Sequence, residues 1–277
     1  MAIKVLATDL DGTLIPLSGN EANRTDLQTL QLQLQRQNVM LVFVTGRSFS
    51  LVEQAIQESC LPTPGWMICD VGTSILKATA GGSFEIVSEY ANHLATLTKA
   101  CPVFELIDHM IDRPGLRLQE PEKQGAFKLS FYTDGEALDE QSQTLQTWIN
   151  KNRLPYAIIS SHDPESQLGL IDLLPIGVSK AYALNWWATE HHVRQLDIAF
   201  AGDSGNDLAA LTAGYRTILV SNAHPGIAEE VRRFYSKADR IERLFRCSQP
   251  ASSGVLEGLL HFTKGGEAVV ELDIETE

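Results

Sequence analysis

Short apolar runs alternate with amphipathic helical segments along the first third of the chain. The runs are rich in β-branched residues, which is typical of strands buried on both faces; they cover residues 3–7, 39–47 and 66–73. Between them, Leu27, Leu30 and Leu34 recur at helical spacing within 24–38, and residues 48–60 form a second helical segment. This β-α-β-α-β order predicts parallel strands with right-handed crossovers, and therefore a doubly wound α/β sheet.

The pattern changes after about residue 80. Residues 126–134 alternate between apolar and polar positions, 136–152 have the spacing of an amphipathic helix, and two further strand-like runs cover 156–161 and 168–175. A segment of this kind favours a sheet with one face covered by helices. Buried strands and helices then alternate again after Pro175.

The simplest architecture that fits these patterns is a core domain interrupted by an inserted cap, with hinges near residues 78 and 178. The predicted fold class is therefore α/β, with a doubly wound, Rossmann-like parallel-sheet core and a second α/β domain. The predicted core comprises residues 1–78 and 178–262, and the predicted cap comprises 79–177. Residues 263–277 are predicted to form an acidic C-terminal tail.

Composition narrows the partners that this chain could have. Its 277 residues carry a formal net charge of -13, which argues against a nucleic-acid partner and against docking on anionic membranes. The apolar run at 39–44 is too short to span a bilayer, and Asp9 and Asp11 interrupt any signal-peptide core. The four cysteines show no paired spacing. We therefore expect a cytoplasmic protein, a monomer or small homo-oligomer, that acts on a small molecule.

Reactive side chains follow the predicted strands where each strand ends. Ligands of open parallel sheets bind beyond the carboxyl ends of the strands, so these groups are expected to converge. They are Asp9 and Asp11 after the first strand, Thr45-Gly46-Arg47 after the second, and Asp203-Ser204-Gly205-Asn206-Asp207 after a later one, with Lys180 opening the helix before it. Crowded carboxylates need a counter-charge, which Mg²⁺ supplies, while the lysine and the arginine suit a phosphoryl group. The set as a whole indicates phosphoryl transfer.

These motifs resemble those of a known superfamily. "DLDGT", "TGR", the later lysine and "GDSGND" are similar, in order and spacing, to the four motifs of the haloacid dehalogenase (HAD) phosphotransferases over the whole core. The insert resembles the α/β cap of the Cof-type subfamily. "GDSGNDLAAL", "VSNAHPGI", "DLLP" and "SSGVLEGLLHF" resemble sucrose-phosphate phosphatases and their relatives, which include mannosylfructose-phosphate phosphatases.

The resemblance implies a role for each motif residue. Asp9 would be the nucleophile that forms an aspartyl-phosphate, and Asp11 would be the general acid and base. Mg²⁺ would be held by Asp9, Asp203 and the backbone carbonyl of Asp11, with Asp207 beside it or on a bound water. The phosphate would be held by Thr45, Gly46, Lys180 and Asn206, with Arg47 binding or steering it.

The candidates for sugar recognition lie in one loop of the core and in the cap. "DVGTSI" resembles the glycine-centred substrate loop of the superfamily, formed here by Gly72, Thr73 and Ser74, although Ser74 stands where the sucrose-phosphate phosphatase pattern has an acid. In the cap, Lys128 and Asp172 could bond sugar hydroxyls, or they could lie on a solvated strand face.

The resemblance thus predicts a Mg²⁺-dependent sugar-phosphate phosphatase, with a disaccharide phosphate such as sucrose 6-phosphate or mannosylfructose phosphate ahead of smaller sugar phosphates. A hexose phosphomutase stays open because phosphomutases share this core and cap. A non-catalytic binding relative is the third alternative, and the complete set of motif residues argues against it.

Overall fold

The computed structural model describes residues 3–98, 101–163 and 166–264. Within this part of the chain, twelve strands form two sheets. The larger sheet has eight strands in the order β12-β11-β10-β1-β2-β3-β4-β5. Its strands are β1 (Val5–Thr8), β2 (Met40–Val44), β3 (Trp66–Cys69), β4 (Ser74–Ala78), β5 (Phe84–Ile86), β10 (Ile198–Gly202), β11 (Arg216–Leu219) and β12 (Leu244–Arg246).

Helices cover both faces of this larger sheet, as the sequence predicted for a doubly wound fold. Alternate residues of each strand point to opposite faces, so Leu6 of β1 packs in one apolar cluster and Val5 packs in the other. The first cluster is built with helices α1 (Glu21–Arg36), α2 (Phe49–Glu58) and α9 (Ala251–Lys264). The second is built with α3 (Ser88–Thr98), α6 (Lys180–Glu190), α7 (Leu208–Leu211) and α8 (Pro225–Lys237).

The smaller sheet is antiparallel, in the order β6-β7-β9-β8. Its strands are β6 (Arg117–Leu118), β7 (Leu129–Thr133), β8 (Tyr156–His162) and β9 (Gly169–Pro175). One face packs on α5 (Leu138–Lys151) and the short α4 (Ile107–Met110) in a separate apolar cluster. The α/β architecture with a second, antiparallel sheet in the inserted segment is therefore confirmed.

Two antiparallel strands extend the larger sheet past the predicted first hinge. β4 pairs antiparallel with β3, and β5 pairs antiparallel with β4, so the larger sheet continues to residue 86. The hinge predicted near residue 78 thus falls between two strands of one sheet, and the division of the chain into domains stays a prediction. The predicted acidic tail lies outside the described residues from 265 onward.

Candidate active site

Parallel pairing brings the predicted motif residues to one edge of the larger sheet. Thr8 of β1 is in register with Phe43 of β2 and with Ala201 of β10, and each motif begins one or two residues further on. Backbone hydrogen bonds between neighbouring strands continue just beyond the strand ends: the Asp9 amide donates to Ala201 O at 2.9 Å, and the Thr45 amide donates to Ile68 O at 2.8 Å. The loops after β1, β2 and β10 therefore begin side by side.

Lys180 lies at the centre of this edge and is completely buried. Its Nζ donates to Asp9 Oδ1 at 2.7 Å, to Asn206 Oδ1 at 2.7 Å and to Asp207 Oδ1 at 2.5 Å. The lysine opens α6, whose N-cap Ser179 accepts a hydrogen bond from the Tyr182 amide. A cation is unfavourable at a helix N-terminus, so the two carboxylates that it contacts must offset the helix dipole.

Asp207 is fixed by the turn that carries it. Its Oδ2 accepts hydrogen bonds from the Asp203 amide, the Ser204 amide and the Ser204 hydroxyl, at 3.0–3.1 Å. Gly202 allows this close packing, because a Cβ at that position would lie 2.9 Å from Asp207 Cβ. Both oxygens of Asp207 are thus engaged, one by the lysine and one by its own loop.

Asp203 approaches the turn after β1. Its Oδ1 accepts a hydrogen bond from Thr13 Oγ1 at 2.9 Å. Gly12 has φ +73°, and a Cβ there would lie 2.5 Å from Asp203 Oδ2. A side chain at residue 12 would therefore be strained and would displace the carboxylate. The glycine of "DLDGT" is required by this contact.

The electrostatics follow from crowding several acids around one ammonium. Burial, reinforced by Asp207, raises the pKa of Asp9 well above its ordinary value against the opposing charge of Lys180. Burial, again reinforced by Asp207, raises the pKa of Asp203 to about 7. Burial by itself would lower the pKa of Lys180, but Asp207 and Asp9 outweigh it and the pKa lies above its usual range. The site therefore lacks positive charge.

A divalent cation fits this deficit. Carboxylate oxygens of Asp9, Asp203 and Asp207 all lie within 4.8 Å of one another, and all three residues are buried. Hard oxygen donors of this kind are those that Mg²⁺ prefers. The Asp11 side chain does not belong to this group of three carboxylates. The metal role predicted for its backbone carbonyl stays a prediction.

Asp11 and Arg47 form an ion pair that the sequence did not predict. Arg47 Nε lies 2.8 Å from Asp11 Oδ2, and a terminal guanidinium nitrogen lies 2.6 Å from Oδ1. Both side chains are partly exposed. The guanidinium assigned to the phosphate thus contacts the carboxylate assigned to proton transfer, and the loops after β1 and β2 are joined at their tips.

The other residues predicted to hold phosphate lie close together. The Thr45 hydroxyl accepts a hydrogen bond from the Arg47 amide at 3.2 Å. A Cβ on Gly46 would lie 3.5 Å from Asn206 Nδ2, so the loop after β2 meets the loop after β10. The structure thus brings Thr45, Gly46 and Asn206 to the same edge as Lys180.

The predicted substrate loop follows β3 and packs against the start of α6. A Cβ on Gly72, which has φ +96°, would overlap Ser179 O. Tyr90 Oη donates to Gly72 O at 2.6 Å, and the Thr73 hydroxyl donates to Asp70 O at 3.0 Å. Ser74 begins β4, and its hydroxyl donates to Asp70 Oδ2 at 3.1 Å.

The smaller sheet covers this edge with a polar face that is buried. Lys128 is 3% exposed and Asp172 is 8% exposed, so neither lies on a solvated strand face. Lys128 Nζ donates to Gly46 O at 3.1 Å and lies 3.1 Å from Asp70 Oδ1. Asp172 accepts a 2.5 Å hydrogen bond from Ser130 Oγ, its partner across β7 and β9.

Sequence reasoning missed two members of this arrangement. Asp70 was not singled out, although it directly follows a strand, as Asp9 and Asp203 do. Ser130 gave no signal beyond lying two positions from Lys128, which places both on one face of a strand.

Comparison with known proteins adds independent findings. A sequence model of the family described as sucrose-6F-phosphate phosphohydrolase matches residues 2–263. A HAD-like hydrolase of Nitrosococcus oceani is 34% identical, covering 93% of this chain and 71% of that protein. The mannosylfructose-phosphate phosphatase of Agrobacterium fabrum is 27% identical, covering 94% and 97% respectively.

A solved structure matches the fold. The sucrose-phosphatase of Synechocystis sp. PCC6803, in complex with sucrose and phosphate, superposes with a TM-score of 0.76 over 95% of this chain and 98% of that one. Its sequence is 24% identical, so this likeness bears on the fold alone. In the described part of this chain, no helix is both long and apolar enough to cross a membrane.

Proposed function

We propose a function from one premise: the chain belongs to the sucrose-6F-phosphate phosphohydrolase family of HAD-like hydrolases. It is therefore a HAD-type phosphohydrolase. Beyond that, we propose a Mg²⁺-dependent sugar-phosphate phosphatase that acts through an aspartyl-phosphate, with a disaccharide phosphate as substrate.

One observation carries the chemical part of the proposal. Lys180 engages Oδ1 of Asp9, whereas Asp9 Oδ2 accepts no hydrogen bond within the described part of the chain. A buried carboxylate with one oxygen anchored and the other available has the form that a nucleophile needs. Asp9 is 4% exposed, so water competes weakly at that position.

In the first step, Asp9 Oδ2 attacks the phosphorus and forms a new P–O bond. The bond between phosphorus and the sugar oxygen breaks, and its electron pair goes to the leaving oxygen. Asp11 gives that oxygen a proton, which makes the free sugar a neutral product.

In the second step, Asp11 takes a proton from a water molecule, whose oxygen attacks the phosphorus of the aspartyl-phosphate. The bond between phosphorus and Asp9 breaks, and inorganic phosphate leaves. The ion pair with Arg47 supports the proton-accepting role in this second step, because it holds Asp11 as a carboxylate beside the Asp9 loop.

Mg²⁺ would be held by Asp9 and Asp203, with Asp207 beside it, and would neutralise charge on the phosphoryl oxygens. Both oxygens of Asp207 already accept hydrogen bonds from protein groups, which supports a place for this residue beside the metal. The phosphate would be held by the other predicted set: Thr45, Gly46, Arg47, Lys180 and Asn206.

The sugar is proposed to lie between this edge and the polar face of the smaller sheet. Lys128 and Asp172 are buried there and offer a donor and an acceptor for hydroxyl groups. Two relatives support a disaccharide: one is a mannosylfructose-phosphate phosphatase, and the other is a sucrose-phosphatase bound to sucrose and phosphate. We assign specificity to the residues of this face together with Gly72, Thr73 and Ser74.

A phosphate-release screen over hexose and disaccharide phosphates, with Mg²⁺ and with EDTA, tests the proposal. We expect Mg²⁺-dependent release, fastest from a disaccharide phosphate. Asp9→Asn should abolish both turnover and the covalent phosphoenzyme, measured by ³²P incorporation after acid quench. An Asp9→Asn protein that still turns over would overturn the nucleophile, and formation of an isomer without phosphate release would indicate a phosphomutase.

A further inference from the structure

Asp70 occupies a strained position between the catalytic edge and the smaller sheet. Asp70 and Val71 have φ +54° and +57°, which is the left-handed region that a β-branched residue such as valine rarely adopts. Backbone contacts hold the turn, because the Asp70 amide donates to Arg47 O at 2.9 Å and the Val71 amide to Thr45 O at 3.0 Å. Strain of this kind persists only where the surroundings enforce it, and it is concentrated at functional sites.

The two oxygens of the Asp70 carboxylate differ in their partners. Oδ2 accepts the hydrogen bond from the Ser74 hydroxyl. Oδ1 is ion-paired with Lys128 Nζ at 3.1 Å, and that ammonium also donates to Gly46 O. A carboxylate oxygen has two lone pairs, so Oδ1 has the capacity to accept a second hydrogen bond, from a ligand, beside its ion pair.

This oxygen lies close to the loop after β2, which carries residues predicted to hold phosphate. The same Lys128 ammonium contacts the Gly46 carbonyl and the Asp70 carboxylate, so the two lie on either side of it. Asp172 of the smaller sheet is close enough to add its charge to the burial that raises the pKa of Asp70, while Lys128 opposes them. Two acids and one ammonium therefore meet beside the loop after β2.

This balance of charge selects a chemical class. A leaving group rich in hydroxyls can donate to Asp70 and Asp172 and accept from Lys128. A leaving group that carries its own carboxylate would place a third negative charge there, which one ammonium does not balance.

We infer that Asp70 is a specificity-determining residue that accepts a hydrogen bond from a hydroxyl of the neutral, polyhydroxylated leaving group. The inference rests on the proposed sugar-phosphate phosphatase activity and deepens it. A different role for the same contact would be a latch that holds the smaller sheet onto the larger one through the pair with Lys128.

Asp70→Asn tests the inference, because asparagine has the same shape and tolerates the left-handed region. We expect kcat/KM for the sugar phosphate that the wild type hydrolyses best to fall about tenfold to hundredfold, mainly through KM, as for loss of a charged hydrogen bond. Hydrolysis of p-nitrophenyl phosphate, which has no hydroxyl on its leaving group, should change less than about twofold.

Asp197→Asn is the matched control. Asp197 is also buried and ion-paired, with Arg194 at 2.7 Å and Lys4 at 3.4 Å, but it precedes β10 and lies at the opposite edge of the sheet. The Asp197→Asn protein should be less stable than the wild type, with an unchanged KM for both the sugar phosphate and p-nitrophenyl phosphate. If Asp70→Asn does not fold, Asp70→Gly replaces it, since glycine accepts φ +54° without strain.

The outcomes separate the possible roles. Equal losses on both substrates would assign the pair with Lys128 to holding the sheets together and would overturn the inference, as would unchanged kinetics on the sugar phosphate. Faster hydrolysis of phosphoglycolate than of every sugar phosphate by the wild type would overturn the selection for neutral leaving groups. A wild type that releases phosphate only from p-nitrophenyl phosphate would instead refute the proposed function, before any variant is compared.

Discussion

Replacing Lys180 with methionine removes one positive charge from the centre of the acidic edge. The methionine has a similar length and no ammonium, so Asp9 and Asp207 lose the group that each contacts, at 2.7 and 2.5 Å. Asp9 is 4% exposed and Asp207 is not exposed at all. Neither carboxylate can therefore replace the ammonium with bulk water.

The expected magnitude follows from this burial. Breaking a buried pair by removing one partner costs about 3–5 kcal/mol, because the remaining charge stays desolvated. For a chain of this size the corresponding fall in Tm is roughly 6–20 °C. The loss should depend on pH, since the pKa of Asp9 is already raised by burial and by Asp207. Groups with a raised folded pKa lose stability as the pH rises through that pKa, so the deficit should be larger at pH 8 than at pH 5.

The assay is urea unfolding of metal-free wild type and Lys180→Met at both pH values, repeated with Mg²⁺. Adding Mg²⁺ should restore part of the loss, because the cation supplies positive charge to the same carboxylates. Lys4→Met is the matched control. Lys4 is 71% exposed and lies 3.4 Å from Asp197, so its loss should cost less than about 1 kcal/mol.

Two results would refute this reasoning. The first is a loss for Lys180→Met no larger than that for Lys4→Met at pH 8. The second is a loss that is the same at pH 5 and pH 8, because it would mean that the buried carboxylates do not change their protonation when the lysine is removed.

Two further predictions concern the metal site. Gly12→Ala should weaken Mg²⁺ binding, measured by titration calorimetry, since its Cβ would meet Asp203 Oδ2 at 2.5 Å. Gly19→Ala is the control, because residue 19 has a similar φ of +72° and a Cβ there would meet nothing within 4 Å. Gly19→Ala should therefore carry the backbone strain of about 1–2 kcal/mol and leave Mg²⁺ binding unchanged. Equal Mg²⁺ affinities in the two variants would contradict the contact. Burial raises the pKa of Asp203 to about 7, so the apparent Mg²⁺ affinity should fall up to about tenfold per pH unit below that value, with proton release on binding. An affinity that is constant from pH 5.5 to 8 would show that no ligand is protonated.

Much of the fold could be predicted from hydrophobic spacing. The leucines of α1, the buried runs of β1 to β3 and the amphipathic α5 have local patterns that the structure confirms. β4 and β5 gave no comparable signal, because their place depends on antiparallel pairing with β3 rather than on a pattern within the segment. β12 is three residues long, which is too short for a period to be read.

The sequence by itself determined the chemistry that the active site can perform. The motif residues follow strands, and parallel strands end at one edge, so the convergence of Asp9, Thr45 and Asp203 follows from topology alone.

Only the tertiary structure decided how those groups are paired. The contacts between Arg47 and Asp11, and between Asp70 and Lys128, join residues 36 and 58 positions apart in the chain. No periodicity records such pairs, since they depend on how two loops and two sheets meet in space. For the same reason, the sequence did not decide whether Lys128 and Asp172 lie on a solvated strand face. The tertiary structure buries both side chains.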